Sequence, residues 1–259
     1  MLKRKSYNLS MSPTEQRVYF ALQNSENHLF DIGIIKSYKL CSDGMLRRSL
    51  AALVKKRRLI RIKKGLYTTD MDVDPFRIST DRFNGYLAFS SALYIYNAYD
   101  EMPSTVYVAN VNISSVKQIG NTEIKGVALH KRAFGTTIYE GYTISTKAKT
   151  LYDCFYLPEN AGGYDKILRA ITMLKMKATD WSEFLTFIDK FEKNGFKRKI
   201  GYMLEILNSI DDFVPKKVIS KLNKKGSIIK LGVGNNGKYI KKWNIVDYIG
   251  IDSLLGFSE

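Results

Sequence analysis

The segment from Ser42 to Thr69, SDGMLRRSLAALVKKRRLIRIKKGLYTT, constrains the chain most, because its hydrophobic period changes midway. Leu46, Leu50, Leu53 and Val54 return at helical spacing and fall on one face. After Arg57-Arg58, Leu59, Arg61 and Lys63 alternate with Ile60, Ile62 and Lys64, and Gly65 supplies a turn into Leu66-Tyr67-Thr68-Thr69. The pattern predicts a helix that runs directly into a β-hairpin. Ser42 is the expected N-cap, since a hydroxyl there can accept from a backbone N–H that a helix start leaves unpaired.

At 100° per residue the face opposite the apolar stripe carries Gly44, Arg48, Ala51, Ala52 and Lys55, with Arg47 on its flank and Met45 between. Arg61, Lys63 and Lys64 sit on the hairpin. Cations on both surfaces, with small residues that permit close approach, suit a groove lined by phosphates. The segment therefore reads as the recognition helix and wing of a winged helix-turn-helix on double-stranded DNA. The competing reading is an ordinary amphipathic helix and hairpin with solvated charges. The candidate DNA-binding residues are Ser42, Gly44, Met45, Arg47, Arg48, Ala51, Lys55, Arg61, Lys63 and Lys64. Arg48 is assigned to a guanine edge, Arg47, Lys55, Lys63 and Lys64 to phosphates, and Arg61 to backbone or minor groove.

Two helices are predicted upstream. Ser12-Pro13-Thr14-Glu15 spells a capping box with proline at the first helical position, followed by Val18, Ala21 and Leu22 on the inner face. Asp31 caps a short second helix through Ile34, Ile35 and Tyr38, and Leu40-Cys41-Ser42 makes the turn. Residues 1–11 are basic and read as a loose arm. Charge supports this placement: residues 1–69 hold 15 of the 41 Lys and Arg and 4 of the 25 Asp and Glu.

Asp70-Met71-Asp72-Val73-Asp74-Pro75 imitates the start of a calcium loop, but Pro75 replaces the glycine that the sharp turn needs and Asp81 replaces the closing glutamate. It is read as an acidic linker, with the domain boundary between 74 and 75. No metal site is expected: Cys41, Cys154, His28 and His130 are isolated, and both cysteines are expected to be buried and reduced.

The predicted second domain, 75–259, begins with a helix over Tyr86 to Tyr99 ended by Pro103, its tyrosines in the core. Strands follow at Thr105 to Asn110, Val116 to Ile119, Glu123 to His130 and Thr137 to Ser145, with turns at Gly120-Asn121 and Gly135. Helices are predicted at 147–157, 163–175, 181–193, 198–208 and 216–222, then a closing hairpin of 227–231 with 239–245. Gly232 to Gly237 spells G-x-G-x-x-G, yet no βαβ unit follows, so it reads as a turn. The expected fold class is α+β: a winged helix-turn-helix followed by a mixed domain with a small sheet and several helices. Asp153, Glu140 and Asp165 form no D-x(n)-E-x-K constellation, and Asp153 reads as a helix-surface or capping residue, so no enzyme and no cofactor are expected. No apolar run reaches the ~20 residues that span a bilayer, and a cytoplasmic location is expected.

The order of motifs resembles the AbiEi-type antitoxins of type IV toxin–antitoxin systems. The likeness is carried by Arg57 to Tyr67, Ser90-Ser91-Ala92-Leu93, Thr150-Leu151-Tyr152-Asp153 with Gly162-Gly163, Arg198 to Glu205, and Lys230-Leu231 with Lys242 to Ile245. Thr146 to Thr150 departs from the family's acid-containing pattern by being basic. The resemblance implies a phage-defence regulator that represses its own operon through operator repeats and opposes a nucleotidyltransferase-like toxin. The residues alone leave open a stand-alone transcription factor with a ligand-binding or dimerisation domain, or a nucleic-acid-processing enzyme. They do not set the oligomeric state.

Overall fold

The computed structural model describes residues 10–25, 29–70, 74–119 and 122–256. The expected basic arm (but for Ser10 and Met11), His28, Met71 to Val73 of the acidic linker and the Gly120-Asn121 turn lie outside them. The described residues form eleven α-helices and three β-sheets, an α+β architecture. The chain divides into two compact units, residues 1–84 with 116–124, and residues 85–115 with 125–259.

In the first unit α1 (Pro13–Gln23) starts on the predicted capping box: Ser12 Oγ accepts from Glu15 N, and the Glu15 carboxylate accepts from Ser12 N at 2.8 Å. A three-residue strand, β1 (Leu29–Asp31), follows, too short to show any period in the sequence. Asp31 Oδ1 accepts from Gly33 N at 2.7 Å and opens α2 (Ile32–Ser37). The principal helix, α3 (Asp43–Lys55), has Ser42 at its N-cap, although the Ser42 side chain makes no cap hydrogen bond. The hairpin is β2 (Ile60–Lys63) and β3 (Leu66–Thr68), and the sheet order is β1-β3-β2.

The simple alternation expected for the hairpin is broken. Arg61 pairs with Tyr67 but Lys63 pairs with Leu66, so a bulge at Ile62 turns that side chain into the core and moves Lys63 to another side. Val18, Leu22, Phe30, Leu46, Leu50 and Leu53 are fully or almost fully buried and join α1, β1 and α3. Each such side chain contributes roughly 1.5–3 kcal/mol by leaving water. The unit also includes α4 (Pro75–Phe83), opened by Asp74 and closed by Asn84 in a left-handed conformation. The expected boundary after Asp74 thus falls at the start of this helix, whereas the compact unit reaches Asn84.

Beyond it, Tyr86 and Leu87 form a strand, β4 (Tyr86–Leu87), and not the first turn of a long helix. Leu87 pairs with Val108 on one side and Ile144 on the other; both β4 side chains are buried, which erases the alternation that marks a half-buried strand. Next come α5 (Phe89–Ile95), β5 (Thr105–Asn110), β6 (Ser115–Ile119) and β7 (Thr122–Ala128). The expected single strand over 137–145 is a hairpin, β8 (Thr136–Tyr139) and β9 (Tyr142–Ser145), turned by Glu140 and Gly141, both at positive φ. The sheet order is β6-β7-β5-β4-β9-β8.

The helices follow close to the predicted positions: α6 (Lys147–Tyr156), α7 (Tyr164–Leu174), α8 (Ala178–Phe191), α9 (Asn194–Leu207) and α10 (Lys216–Leu222). Every residue of α6 from Ala148 to Phe155 is buried. The end of the chain departs from the expected hairpin. β10 (Ile229–Leu231) lies parallel to β12 (Ile245–Asp247), and β11 (Lys238–Ile240) pairs with β12 from the other side, before α11 (Ile251–Leu255). Gly232 to Gly237 connects β10 to β11 with no helix after it, as the turn reading requires. Arg198 ties this sheet to α9: its buried guanidinium donates to the carbonyls of Ser227 at 2.6 Å and Trp243 at 3.1 Å.

Candidate nucleic-acid interface

The first unit presents α3 and the β2–β3 hairpin side by side. Ser42, Gly44, Met45, Arg47, Arg48, Ala51 and Lys55 are exposed along α3, and Arg61 and Lys64 on the hairpin. Ala52, expected on the same face, is half-buried. Between helix and hairpin lies a groove of about 520 Å³, with Arg47, Arg61 and Lys64 around a floor that includes Ile32 and Tyr67. The floor residues escaped the sequence reading because chain reversal, and no local pattern, brings them beneath α3. A Cβ added at Gly44 would meet nothing within 4 Å, so this part of α3 lies open to a ligand.

Lys63 does not belong to this surface. Its ammonium donates to the Asp81 carbonyl at 2.7 Å and to Asn84 Oδ1 at 3.0 Å, at the C-terminal end of α4. A cation there satisfies a carbonyl that the last helical turn leaves unpaired, so Lys63 is a strut that fixes the hairpin to α4. The bulge at Ile62 is the cause, because it takes Lys63 out of the register that an unbroken strand would give it.

Two further cations of the same region are committed elsewhere. Lys56 pairs with Glu15 at 2.5 Å and donates to the Ser10 carbonyl at 2.7 Å. The hydrogen bond from Lys56 is the main reason the Glu15 carboxyl is held below its ordinary range. Lys36 pairs with Asp43, the carboxylate beside Ser42. Arg48 Nε reaches the Gly44 carbonyl only weakly, at 3.4 Å, and its guanidinium remains exposed.

The carboxylates singled out in the second unit are not brought together. Glu140 is exposed in the β8–β9 turn, Asp165 lies in the first turn of α7, and Asp153 is fully buried. The surface or capping role expected of Asp153 is corrected: it forms an ion pair with Lys149, four residues earlier on α6, and neither side chain has any exposure. Lys149 lies over the rings of Tyr86, Phe134 and Tyr152 at 5.4–5.7 Å. Burial pushes the Asp153 carboxyl up to about 6 against the pull of Lys149, and burial lowers Lys149. Among the described residues Asp153 Oδ2 and Tyr86 Oη have no hydrogen-bond partner. A carboxylate in this position cannot meet a polynucleotide unless the core opens. The pairing was legible only in part: a Lys and an Asp four apart share a helix face, but nothing local shows that the face is interior.

Among the described residues no group of three or more His, Cys, Asp or Glu is placed to hold a metal ion. Cys154 is buried, with its thiol pushed up by desolvation, while Cys41 is half-buried rather than buried. No helix among the described residues is long and apolar enough to cross a membrane.

No family model matches this chain. No curated protein matches it either. Among solved structures, its fold is similar to that of the RV2827C protein from Mycobacterium tuberculosis, with a TM-score of 0.63 over 95% of each chain at 13% sequence identity. At that identity the likeness concerns the α+β fold alone, and it extends over nearly the whole chain.

Proposed function

We propose that the first unit is a winged helix-turn-helix that binds double-stranded DNA, with α3 in the major groove and the β2–β3 hairpin as the wing. The observation that carries this reading is the groove where Arg47, Arg61 and Lys64 converge beside the exposed Arg48, Ala51 and Gly44. Helix order, the β1-β3-β2 sheet and the excess of cations in the first 69 residues support it. Arg48 reads a base edge, Arg47, Lys55 and Lys64 take phosphates, and Arg61 takes backbone or minor groove. Ser42 and Met45 flank the approach of α3.

The wider reading is a cytoplasmic transcriptional repressor, not an enzyme, acting as the antitoxin of a type IV system. It binds operator repeats of its own operon and opposes a nucleotidyltransferase-like toxin. The motif order from Arg57 to Ile245 that resembles AbiEi-type antitoxins supports this part. Two measurements test it. Binding to duplex DNA from upstream of its own gene should exceed binding to random duplex, and Arg48→Ala should remove roughly 1–3 kcal/mol of that preference; equal weakening on both duplexes removes the base-reading role. Co-expression with a neighbouring gene for a nucleotidyltransferase-like protein should relieve growth arrest, and persistent arrest refutes the antitoxin reading.

A further inference from the structure

The second unit contains a cleft of about 300 Å³ between the start of α5, the outer end of β5 and the turn that leads into α7. Two side chains lining it are almost wholly buried, Ser90 with 5% exposure and Asn160 with 3%. Asn160 Oδ1 accepts from Lys125 Nζ at 3.1 Å, which fixes the orientation of the amide and leaves Nδ2 as a donor. Neither Asn160 Nδ2 nor Ser90 Oγ bonds to a described residue, and neither is among the fully buried atoms left without a partner, so both open into the cleft. Two nearly buried side chains thus turn a donor each into one cleft, where an acceptor carried by a ligand can meet them.

The rim defines what else the ligand carries. Lys166 lies 5.5 Å over the Tyr99 ring. Its hydrogen bond to Tyr99, with Glu101 and Asp165 nearby, favours the protonated form, so it offers a permanent cation. Glu101 and Glu159 line the same cleft with the opposite charge. Acceptor-seeking groups beside a cation, together with two carboxylates, match a small zwitterion. The volume is at the lower end for ligand sites, which suits a single metabolite and excludes an oligonucleotide.

We propose that this cleft binds a free α-amino acid, its carboxylate held by Ser90, Asn160 and Lys166 and its ammonium by Glu101 and Glu159. Gly162 forms part of the wall at φ +85°, and a Cβ there would lie 2.8 Å from Lys166 Cδ and 3.0 Å from Tyr99 Oη. The inference does not rest on DNA binding, and its test uses the protein alone, so either can fail without the other.

The test is calorimetric titration and thermal melting of the full chain with the proteinogenic amino acids, one at a time, into the millimolar range. At least one should give a saturable heat and raise the melting temperature. Its affinity should fall tenfold or more in Ser90→Ala and in the surface variant Lys166→Met, and Gly162→Ala should weaken it likewise. The N-acetyl and amide derivatives of that amino acid, each lacking one charge, should fail to bind. The proposal is overturned if no amino acid binds, if the derivatives bind as well as the parent, or if Lys166→Met leaves affinity unchanged.

Discussion

At the scale of single residues, Lys63 and Lys64 are neighbours in sequence with opposite roles. Lys64 lines the groove beside α3, whereas Lys63 caps the end of α4. Lys64→Ala should lower the slope of log affinity against log salt by about 0.9, the signature of one lost phosphate contact. Lys63→Met should leave that slope unchanged and lower stability by about 1 kcal/mol; a reduced slope would return Lys63 to the phosphate surface. Gly44 gives a complementary probe. Alanine there meets no protein atom within 4 Å and should favour the helix by up to ~1 kcal/mol. Weaker operator binding by a more stable Gly44→Ala protein would therefore report the added methyl against the duplex.

At the scale of elements, α6 holds the second unit together around one buried ion pair. Lys149→Met leaves the Asp153 carboxylate without its counter-charge and should cost roughly 3–5 kcal/mol at neutral pH in a denaturation measurement. Replacing both residues, as Lys149→Met with Asp153→Leu, should recover most of that loss. The pH dependence has a definite sign. The folded-state value of Asp153, about 6, lies above the unfolded one, so the folded chain keeps a proton that the unfolded chain releases, and stability declines as pH rises toward 6. Without Lys149 the carboxyl moves higher still. The deficit of Lys149→Met relative to the parent should thus grow between pH 6 and pH 8, and a deficit independent of pH would contradict the assignment.

Legibility also varied by element for physical reasons. α1, α3, α6 and α10 were readable because caps and three-to-four spacing are local signals, as Ser12, Glu15 and Leu46 to Val54 illustrate. β1 and β4 were not, since strands of three and two residues carry no period and owe their existence to partners elsewhere in the chain. The pairing of β10 with β12 leaves no local mark, because parallel strands have no turn between them for a sequence to show. The exposed cations of the interface were foreseen from the face of α3. The strut of Lys63 and the burial of Asp153 depend on a bulge and on neighbouring helices.

At the scale of the whole molecule, recognition of DNA is proposed for the first unit and a separate task for the second. That division makes the cationic face of α3 and the hairpin the decisive feature, and it can be tested on the full chain. Fluorescence anisotropy should compare the parent with Arg47→Ala/Arg48→Ala/Arg61→Ala/Lys64→Ala on duplex DNA from upstream of its own gene, across a range of salt concentrations. All four side chains are exposed or groove-lining, so the fold should be retained, as circular dichroism can verify. The predicted result is a parent that binds with a steep salt dependence and a folded variant that has lost sequence-specific binding. A folded variant that binds the duplex with the parent's affinity and salt slope would contradict the central claim.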